Sequence, residues 1–280
     1  MVSLDRSTVA SRRRAFRALH DGPAILVLPN AWDVISARVY EEAGFPAVAT
    51  SSAGLANSLG YADGNVLDVE LHLATLERLT RALDVPLSAD VESGYAADTS
   101  ALAAFVTRLA ATGVAGYNLE DGIGEVDVFP LDDACARIRA ARAAAPDLFL
   151  NARTDVYLAR VGPENTRFER TVERLHAFAE AGADGVFVPG VADAETIGKL
   201  AAAAPRPLNV LAGPQVPDAA ALQRLGVHRV SVGSSAMRRT LGVLREIAHE
   251  LRDSGTFSFT REPSVSYADA NALLQGRNAR

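Results

Sequence analysis

The sequence predicts an α/β fold of the (β/α)₈ TIM-barrel type, and two observations predict it. Short apolar runs alternate with stretches of helical spacing from near the N-terminus to about residue 254, and eight such runs can be counted. The runs are apolar along their whole length, as expected of strands that are buried on both faces. They cover residues 24–29, 47–51, 87–91, 116–120, 148–153, 185–189, 208–212 and 229–233.

The junctions between these runs support the same count. A glycine precedes each even-numbered strand, where it suits the left-handed cap of the preceding helix. A proline precedes each odd-numbered strand. The glycines are Gly44, Gly113, Gly182 and Gly226, and the prolines are Pro23, Pro86, Pro146 and Pro207. The spacing favours a unit of two strands and two helices used four times.

The 280 residues are most simply divided into a barrel over residues 1–254 and a tail over residues 255–280. The tail has two aromatic residues near its start, Phe257 and Phe259, followed by a short helical pattern over residues 266–274. An apolar tail outside the core either folds back on its own barrel or reaches a neighbouring subunit. The second alternative predicts a homodimer or homotetramer.

Composition excludes several classes of function. A formal charge of −6 without a basic cluster argues against a nucleic-acid partner. No apolar run reaches 18 residues and the N-terminus is not signal-like, so we expect no membrane contact and a cytoplasmic location. The only lysine, Lys199, lies in a helical stretch, which argues against Schiff-base chemistry. No histidine is expected at the strand ends that would form the active face, which argues against a His-ligated zinc site.

Acidic residues cluster where two neighbouring strands are predicted to end. Strand alternation would place Asp90 and Glu92 on one side, and Glu120 follows at the end of the next strand. Each acid alone could cap the following helix. Three of them at adjacent strand ends favour a site for a hard cation with oxygen ligands, Mg²⁺ or Mn²⁺.

Other strand ends offer groups for a substrate. The first ends near Trp32, the second in the turn Ser51-Ser52-Ala53, and the seventh near Asn209. Arg153, after the fifth, could clamp a carboxylate or form a structural salt bridge, and the sequence leaves both open. An anion clamp opposite a carboxylate-bound cation indicates a small-molecule carboxylate, such as a 2-oxo acid or its enolate.

Six motifs, taken together, resemble the isocitrate lyase and phosphoenolpyruvate mutase superfamily. They are Asn30-Ala31-Trp32-Asp33, Ser51-Ser52-Ala53-Gly54, Leu59-Gly60 with Asp63, Asp90-Val91-Glu92-Ser93-Gly94-Tyr95, Leu119-Glu120-Asp121 and Asn151-Ala152-Arg153-Thr154-Asp155. The resemblance implies a barrel whose last helix is often exchanged between subunits. It also implies that Asp90 binds Mg²⁺ directly, while Asp63, Glu92 and Glu120 complete the shell mostly through water. Ser51, Ser52 and Ala53 would bind the oxo-acid end of the substrate, and Arg153 its carboxylate.

The segment over residues 121–130 departs from the family's lids. It contains no Cys, Lys, Arg or His, although cleaving members use a thiol there and phosphonopyruvate-processing members use a lysine and an asparagine. We therefore predict a Mg²⁺-dependent carbon–carbon lyase for a 2-oxo or 2-hydroxy acid, like methylisocitrate lyase or oxaloacetate decarboxylase. The alternatives are phosphorus–carbon chemistry and an oxo-acid-binding barrel without turnover. The predicted catalytic groups are Arg153, Asp63 and Tyr95, with Tyr61 or a metal-bound water as other proton donors.

Overall fold

The computed structural model describes residues 5–124, 126–261 and 265–275, and its centre is a barrel of parallel strands. The strands are β1 (Leu26–Leu28), β2 (Asn30–Ala31), β3 (Val48–Thr50), β4 (Leu87–Asp90), β5 (Gly116–Glu120), β8 (Phe149–Arg153), β9 (Gly185–Val188), β10 (Leu208–Leu211) and β11 (Arg229–Ser231). A separate antiparallel hairpin consists of β6 (Gly122–Ile123) and β7 (Asp127–Val128). All eight predicted strands are confirmed.

The barrel closes through its first strand, which is broken at Pro29. On one side of the break, β1 pairs with β11, and on the other side β2 pairs with β3. The nine strands therefore fill eight positions. Asn30 joins the two ends, because its Oδ1 accepts the backbone N–H groups of Val232 and Gly233 at 2.9 Å and its Nδ2 donates to the Thr50 carbonyl. This break did not show in the apolar pattern.

Helices surround the strands. They are α1 (Arg6–Asp21), α2 (Val34–Glu42), α3 (Ser52–Ser58), α4 (Val69–Ala82), α5 (Thr99–Ala111), α6 (Leu131–Ala144), α7 (Arg167–Glu180), α8 (Ala194–Ala203), α9 (Ala219–Arg224), α10 (Ser235–Asp253) and α11 (Tyr267–Ala272), with 3₁₀ turns at Glu164–Thr166 and Ser258–Arg261. Four glycines take the predicted left-handed conformation after a helix, with φ between 87° and 112°: Gly44, Gly113, Gly182 and Gly226. Asp33 caps α2 by accepting the Ser36 N–H at 2.7 Å.

Helix α1 closes the end of the barrel where the strands begin. Phe16 is fully buried and packs edge-on against Phe149, and the His20 ring stacks on Phe149 with centroids 3.9 Å apart. A Cβ at Gly116 would meet Phe16 at 2.8 Å, so a glycine is required where the helix enters the barrel. Helix α1 therefore covers the core at this end of the barrel.

The C-terminal segment begins with α10, which buries only Met237 among its residues. Beyond it, α11 confirms the helical pattern predicted over residues 266–274. The carbonyl of Leu273 accepts Arg38 Nε at 2.8 Å, and the Leu273 side chain is 5% exposed, so this part of the tail packs on the barrel of its own chain. Residues 262–264 and 276–280 of the predicted tail lie outside the described residues. No described helix combines the length and the apolar character needed to cross a membrane.

Candidate active site

A pocket of about 380 Å³ lies at the end of the barrel where the strands finish. Five charged side chains line it: Asp63, Glu92, Glu120, Arg153 and Asp155. The remaining lining residues are small or apolar, apart from Ser52 and Asn65, and comprise Gly64, Gly124, Leu158 and Ala159. Most of the sequence-predicted acids are thus brought to one place, as the barrel geometry requires.

Asp90 is the last residue of β4 and is 8% exposed. Its Oδ2 accepts the Ser52 N–H at 3.3 Å, whereas its Oδ1 is buried and has no hydrogen-bond partner. The Asp90 backbone N–H donates to Thr50 Oγ1 at 2.9 Å, which fixes the strand end against β3. A buried carboxylate oxygen without a donor is costly unless a cation or water reaches it.

Glu92 lies near Asp90, but not for the reason predicted. Strand β4 ends at Asp90, so alternation does not extend to Glu92, whose φ is +50°. Its Oε2 accepts the N–H groups of Gly64 and Asn65, and its Oε1 accepts the Tyr95 hydroxyl at 2.8 Å. Burial raises the pKa of Glu92, although these donors oppose the shift. Glu92 therefore ties the loop that carries Asp63 to the end of β4.

Asp63 reaches the pocket from that loop and remains accessible to solvent at its mouth. Partial removal from bulk water raises the pKa of Asp63, and the charge of Asp90 raises it further. The Ser52 hydroxyl is hydrogen-bonded to Asp63 and opposes that rise. Ser52 thus contacts both Asp90, through its N–H, and Asp63, through its side chain.

Arg153, the last residue of β8, is held between two carboxylates. Its Nη1 lies 2.8 Å from Glu120 Oε2, and its Nε and Nη2 donate to Asp155 at 2.6 and 2.9 Å. Burial and the neighbouring carboxylates raise the pKa of Glu120, which Arg153 only partly offsets. The salt-bridge alternative for Arg153 is therefore present in the structure, and the residue still lines the pocket.

The donor set suits one hard cation. Among the described residues, no group of three or more His, Cys, Asp or Glu side chains is arranged as a ready-made chelate. The unpartnered Asp90 Oδ1 instead offers a single direct oxygen ligand. Three further carboxylates in the pocket wall have raised pKa values: the solvent-accessible Asp63 and the more deeply buried Glu92 and Glu120. Such an arrangement fits an ion that keeps several of its waters, as Mg²⁺ does.

The structure places Asp90 and several other predicted groups outside the pocket lining. Ser51 Oγ accepts the Gly54 N–H at 3.2 Å and caps α3, and Ala53 follows in the first turn of that helix. Trp32 donates its backbone N–H to Ser36 Oγ at the start of α2. Asn209 is 1% exposed inside the barrel and is hydrogen-bonded to Ser231, so the structure does not bring it to the pocket.

Tyr95 also lies behind the pocket rather than in its wall. Its hydroxyl donates to Glu92, and its ring packs edge-on against His72 and Phe105, with centroids 5.2 and 5.7 Å apart. Burial raises the pKa of Tyr95, and the charge of Glu92 adds to the shift. A proton from Tyr95 would reach a substrate only through Glu92.

The predicted lid forms the hairpin β6–β7 at the rim of the pocket, with Glu125 outside the described residues. Asp121 anchors its base: the Asp121 carbonyl accepts the Phe129 N–H at 2.8 Å, and the buried carboxylate pairs with Arg174 Nη1 at 2.8 Å. Burial raises the pKa of Asp121 to about 6, even though Arg174 opposes the shift. Val126, near the tip of the hairpin, is 80% exposed, so the tip faces solvent.

Sequence reasoning did not single out Asn65, Leu158 or Ala159 in the wall, or the role of Asp155 in orienting Arg153. Asp155 stands in a quoted motif two residues after Arg153, and that spacing was the available signal. Asn65 adopts φ 61° in the loop after α3, and neither its residue type nor its spacing marks it as part of a site. Leu158 and Ala159 are apolar residues in a loop, where composition gives no such signal.

Comparisons with known proteins agree with this geometry. The family model described as phosphoenolpyruvate phosphomutase matches residues 16–252. An uncharacterized protein of Mycobacterium tuberculosis is 36% identical over 260 residues, covering 93% of this chain and 96% of that protein. Oxaloacetate decarboxylase of Pseudomonas fluorescens is 30% identical over 236 residues, covering 80% and 79%.

The fold comparison gives the same result. A solved structure from Burkholderia cenocepacia superimposes with a TM-score of 0.89 at 36% identity, covering 96% of this chain and 98% of that one. The match of the family model extends over most of the barrel and includes every acidic residue of the pocket wall. This chain therefore belongs to the phosphoenolpyruvate phosphomutase family, within the isocitrate lyase and phosphoenolpyruvate mutase superfamily.

Proposed function

We propose that this chain is a Mg²⁺-dependent carbon–carbon lyase that acts on a 2-oxo or 2-hydroxy carboxylic acid. The observation that carries the proposal is the buried, unpartnered Asp90 Oδ1. Asp90 is not among the described residues that line the pocket, but its Oδ2 accepts the N–H of Ser52, which does line it. Bound there, the ion would supply positive charge to the oxygens on which negative charge develops as the bond breaks. Mn²⁺ offers the same preference for oxygen ligands.

Arg153 is the group that would orient the substrate. A guanidinium has five N–H donors, of which Arg153 commits three to Glu120 and Asp155, so two remain for a carboxylate in the pocket. Glu120 is the last residue of β5, and Asp155 follows β8 by two residues. Because these two carboxylates hold the guanidinium, Arg153 is fixed before a substrate arrives. Fixing it in advance lowers the entropic cost of binding in a reactive orientation.

The charges of the wall favour carbon–carbon over phosphorus–carbon chemistry. Arg153 is the one cation among the described residues that line the pocket. A phosphonate carries up to two negative charges where a carboxylate carries one, and no second cationic side chain among the described residues lines the pocket to pair with it. Leu158 and Ala159 instead present an apolar surface, next to which a carboxylate that leaves as CO₂ would be poorly solvated. The relative named oxaloacetate decarboxylase supports this choice.

The test is a Mg²⁺-dependent screen of 2-oxo acids, 2-hydroxy acids and phosphonopyruvate, with products identified by NMR. We expect pyruvate or a related 2-oxo acid to appear, and we expect Asp90→Ala to lose both Mg²⁺ binding, measured by calorimetry, and turnover. Asp98→Ala is the matched control, since Asp98 caps α5 outside the pocket. Phosphate release would favour the phosphorus–carbon alternative, and oxalate binding without any product would favour a binding protein. A fully active Asp90→Ala enzyme would refute the proposal.

A further inference from the structure

An arginine lies inside the barrel, beneath the pocket. Arg229 is the first residue of β11, is 1% exposed, and is the largest of the fully buried side chains among the described residues. A buried guanidinium is costly unless opposite charge or hydrogen bonds compensate it. The groups around Arg229 must therefore compensate its positive charge.

The direct partners of Arg229 are neutral. Its Nη2 donates to Asn118 Oδ1 at 3.2 Å and its Nε to Ser231 Oγ at 3.4 Å, while Nη1 is buried without a hydrogen-bond partner. No carboxylate of the described residues lies within 4.0 Å of its nitrogen atoms. Asn118 is itself fixed by Asn151, which donates to the same Oδ1 at 2.9 Å. The guanidinium is held in one orientation, but its charge is not neutralised by a contact.

A compensating charge for Arg229 comes from Asp90. Asn118 on β5 is the register partner of Asp90 on β4, so the residue that holds Arg229 stands beside the carboxylate proposed to bind the cation. Burial lowers the pKa of Arg229 to about 9, and Asp90 is the charged group that opposes this shift. Both side chains have one buried polar atom without a partner, Asp90 Oδ1 and Arg229 Nη1.

We propose that Arg229 acts through Asp90: its fixed positive charge inside the barrel compensates the charge of the buried carboxylate before a metal ion arrives. This inference rests on the cation site of the proposed function. Arg229 and the ion compensate the same carboxylate from two sides. Because both are positive, they repel each other, so Arg229 stabilises the metal-free protein and weakens metal binding.

The first experiment measures Mg²⁺ binding by calorimetry at pH 8 without substrate. In Arg229→Met, which keeps the length of the side chain but removes its charge, we expect Mg²⁺ to bind about tenfold more tightly, or roughly 1.4 kcal/mol. The metal-free variant should melt at a lower temperature, and Mg²⁺ should raise its Tm more than that of the wild type. Arg229→Lys should behave like the wild type. Arg12→Met removes another buried arginine, at the closed end, and should leave Mg²⁺ affinity unchanged.

A second experiment keeps the inference testable if Arg229→Met folds poorly. In an Asp90→Asn background the buried cation has lost its compensating charge, so Arg229→Met should lower the Tm less there than in the wild type, or raise it. Additive effects in this cycle, or Mg²⁺ affinity in Arg229→Met equal to or weaker than that of the wild type, would overturn the inference. Asp90→Ala that still binds Mg²⁺ would instead refute the proposed function.

Discussion

Arg153 shows how one residue can satisfy two interpretations of a sequence. Its position at a strand end was compatible with a substrate clamp or with a structural salt bridge. The structure pairs it with Glu120 and Asp155 and also exposes it to the pocket. The ion pairs hold the guanidinium in place, and two of its five N–H donors are not used by these pairs. A buried pair of this kind specifies geometry more reliably than it adds stability.

The buried His72 makes the free energy of unfolding depend on pH. It is 1% exposed, and burial lowers its pKa to about 4, whereas an unfolded histidine titrates near 6.5. Below pH 6.5 the unfolded chain therefore takes up a proton that the folded chain does not, so His72 reduces the free energy of unfolding as the pH falls towards 4. In His72→Phe the fall between pH 6.5 and 4 should be shallower by up to about 1.4 kcal/mol per pH unit, measured by urea unfolding.

His249→Gln is the control for that measurement, because His249 is an exposed histidine on α10. It should leave the pH dependence unchanged. The comparison between variants matters, since the buried acids with raised pKa values, such as Asp121, act in the opposite direction over the same pH range. An unchanged slope in His72→Phe would contradict the assignment of a buried, neutral histidine.

At the level of elements, the hairpin β6–β7 packs closely at Gly122 against the two carboxylates that pair with Arg153. A Cβ on Gly122 would lie 2.9 Å from Asp155 Oδ2 and 3.5 Å from Glu120 Oε1. In Gly122→Ala, Asp155 must move and would no longer orient Arg153. We expect kcat/KM to fall about tenfold, the cost of a small misplacement of an orienting group, with little change in Tm.

Gly213→Ala is the matched control for the hairpin variant, since its added Cβ would make only an ordinary contact, 3.7 Å from Val216. Its kcat/KM should equal that of the wild type. Wild-type kcat/KM in Gly122→Ala would show that the hairpin does not set the position of Arg153.

The elements also show what a sequence alone encodes. The eight strands and their glycine caps were predictable, because each depends on a local pattern of apolar residues and on the conformational freedom of one glycine. The role of helix α1 was not predicted, because it depends on acceptors that lie far along the chain. Arg229 was assigned to a strand, but its burial beneath Asp90 depends on Asn118 across the barrel. The position of Glu92 likewise depends on a loop 27 residues earlier in the chain.

On the scale of the whole molecule, α10 has an apolar surface that the described part of the chain leaves exposed. Leu241, Val243, Leu244 and Leu251 are 43%, 39%, 59% and 43% exposed. We propose that a second copy of the chain covers this surface, giving the predicted homodimer or homotetramer. Leu244→Glu should lower the molar mass measured by light scattering after size exclusion, because it places a charge where apolar area would be buried.

Arg245→Glu tests whether the apolar area rather than the net charge is responsible. It alters charge at the next position of the same helix without changing a leucine, and it should keep the wild-type mass. If Leu244→Glu and the wild type have the same mass, this surface is not the contact between copies.

Helix α1 has a consequence for the order in which the chain can be assembled. Its arginines donate to carbonyls near the ends of α4 and α5, 68 and 97 residues further along, and Arg17 pairs with Asp184, 167 residues later. On the ribosome, the helix is therefore synthesised before all of these partners, and Asp184 follows Arg17 only after 167 further residues. The full set of contacts between α1 and the barrel can form only after that length of chain has been made.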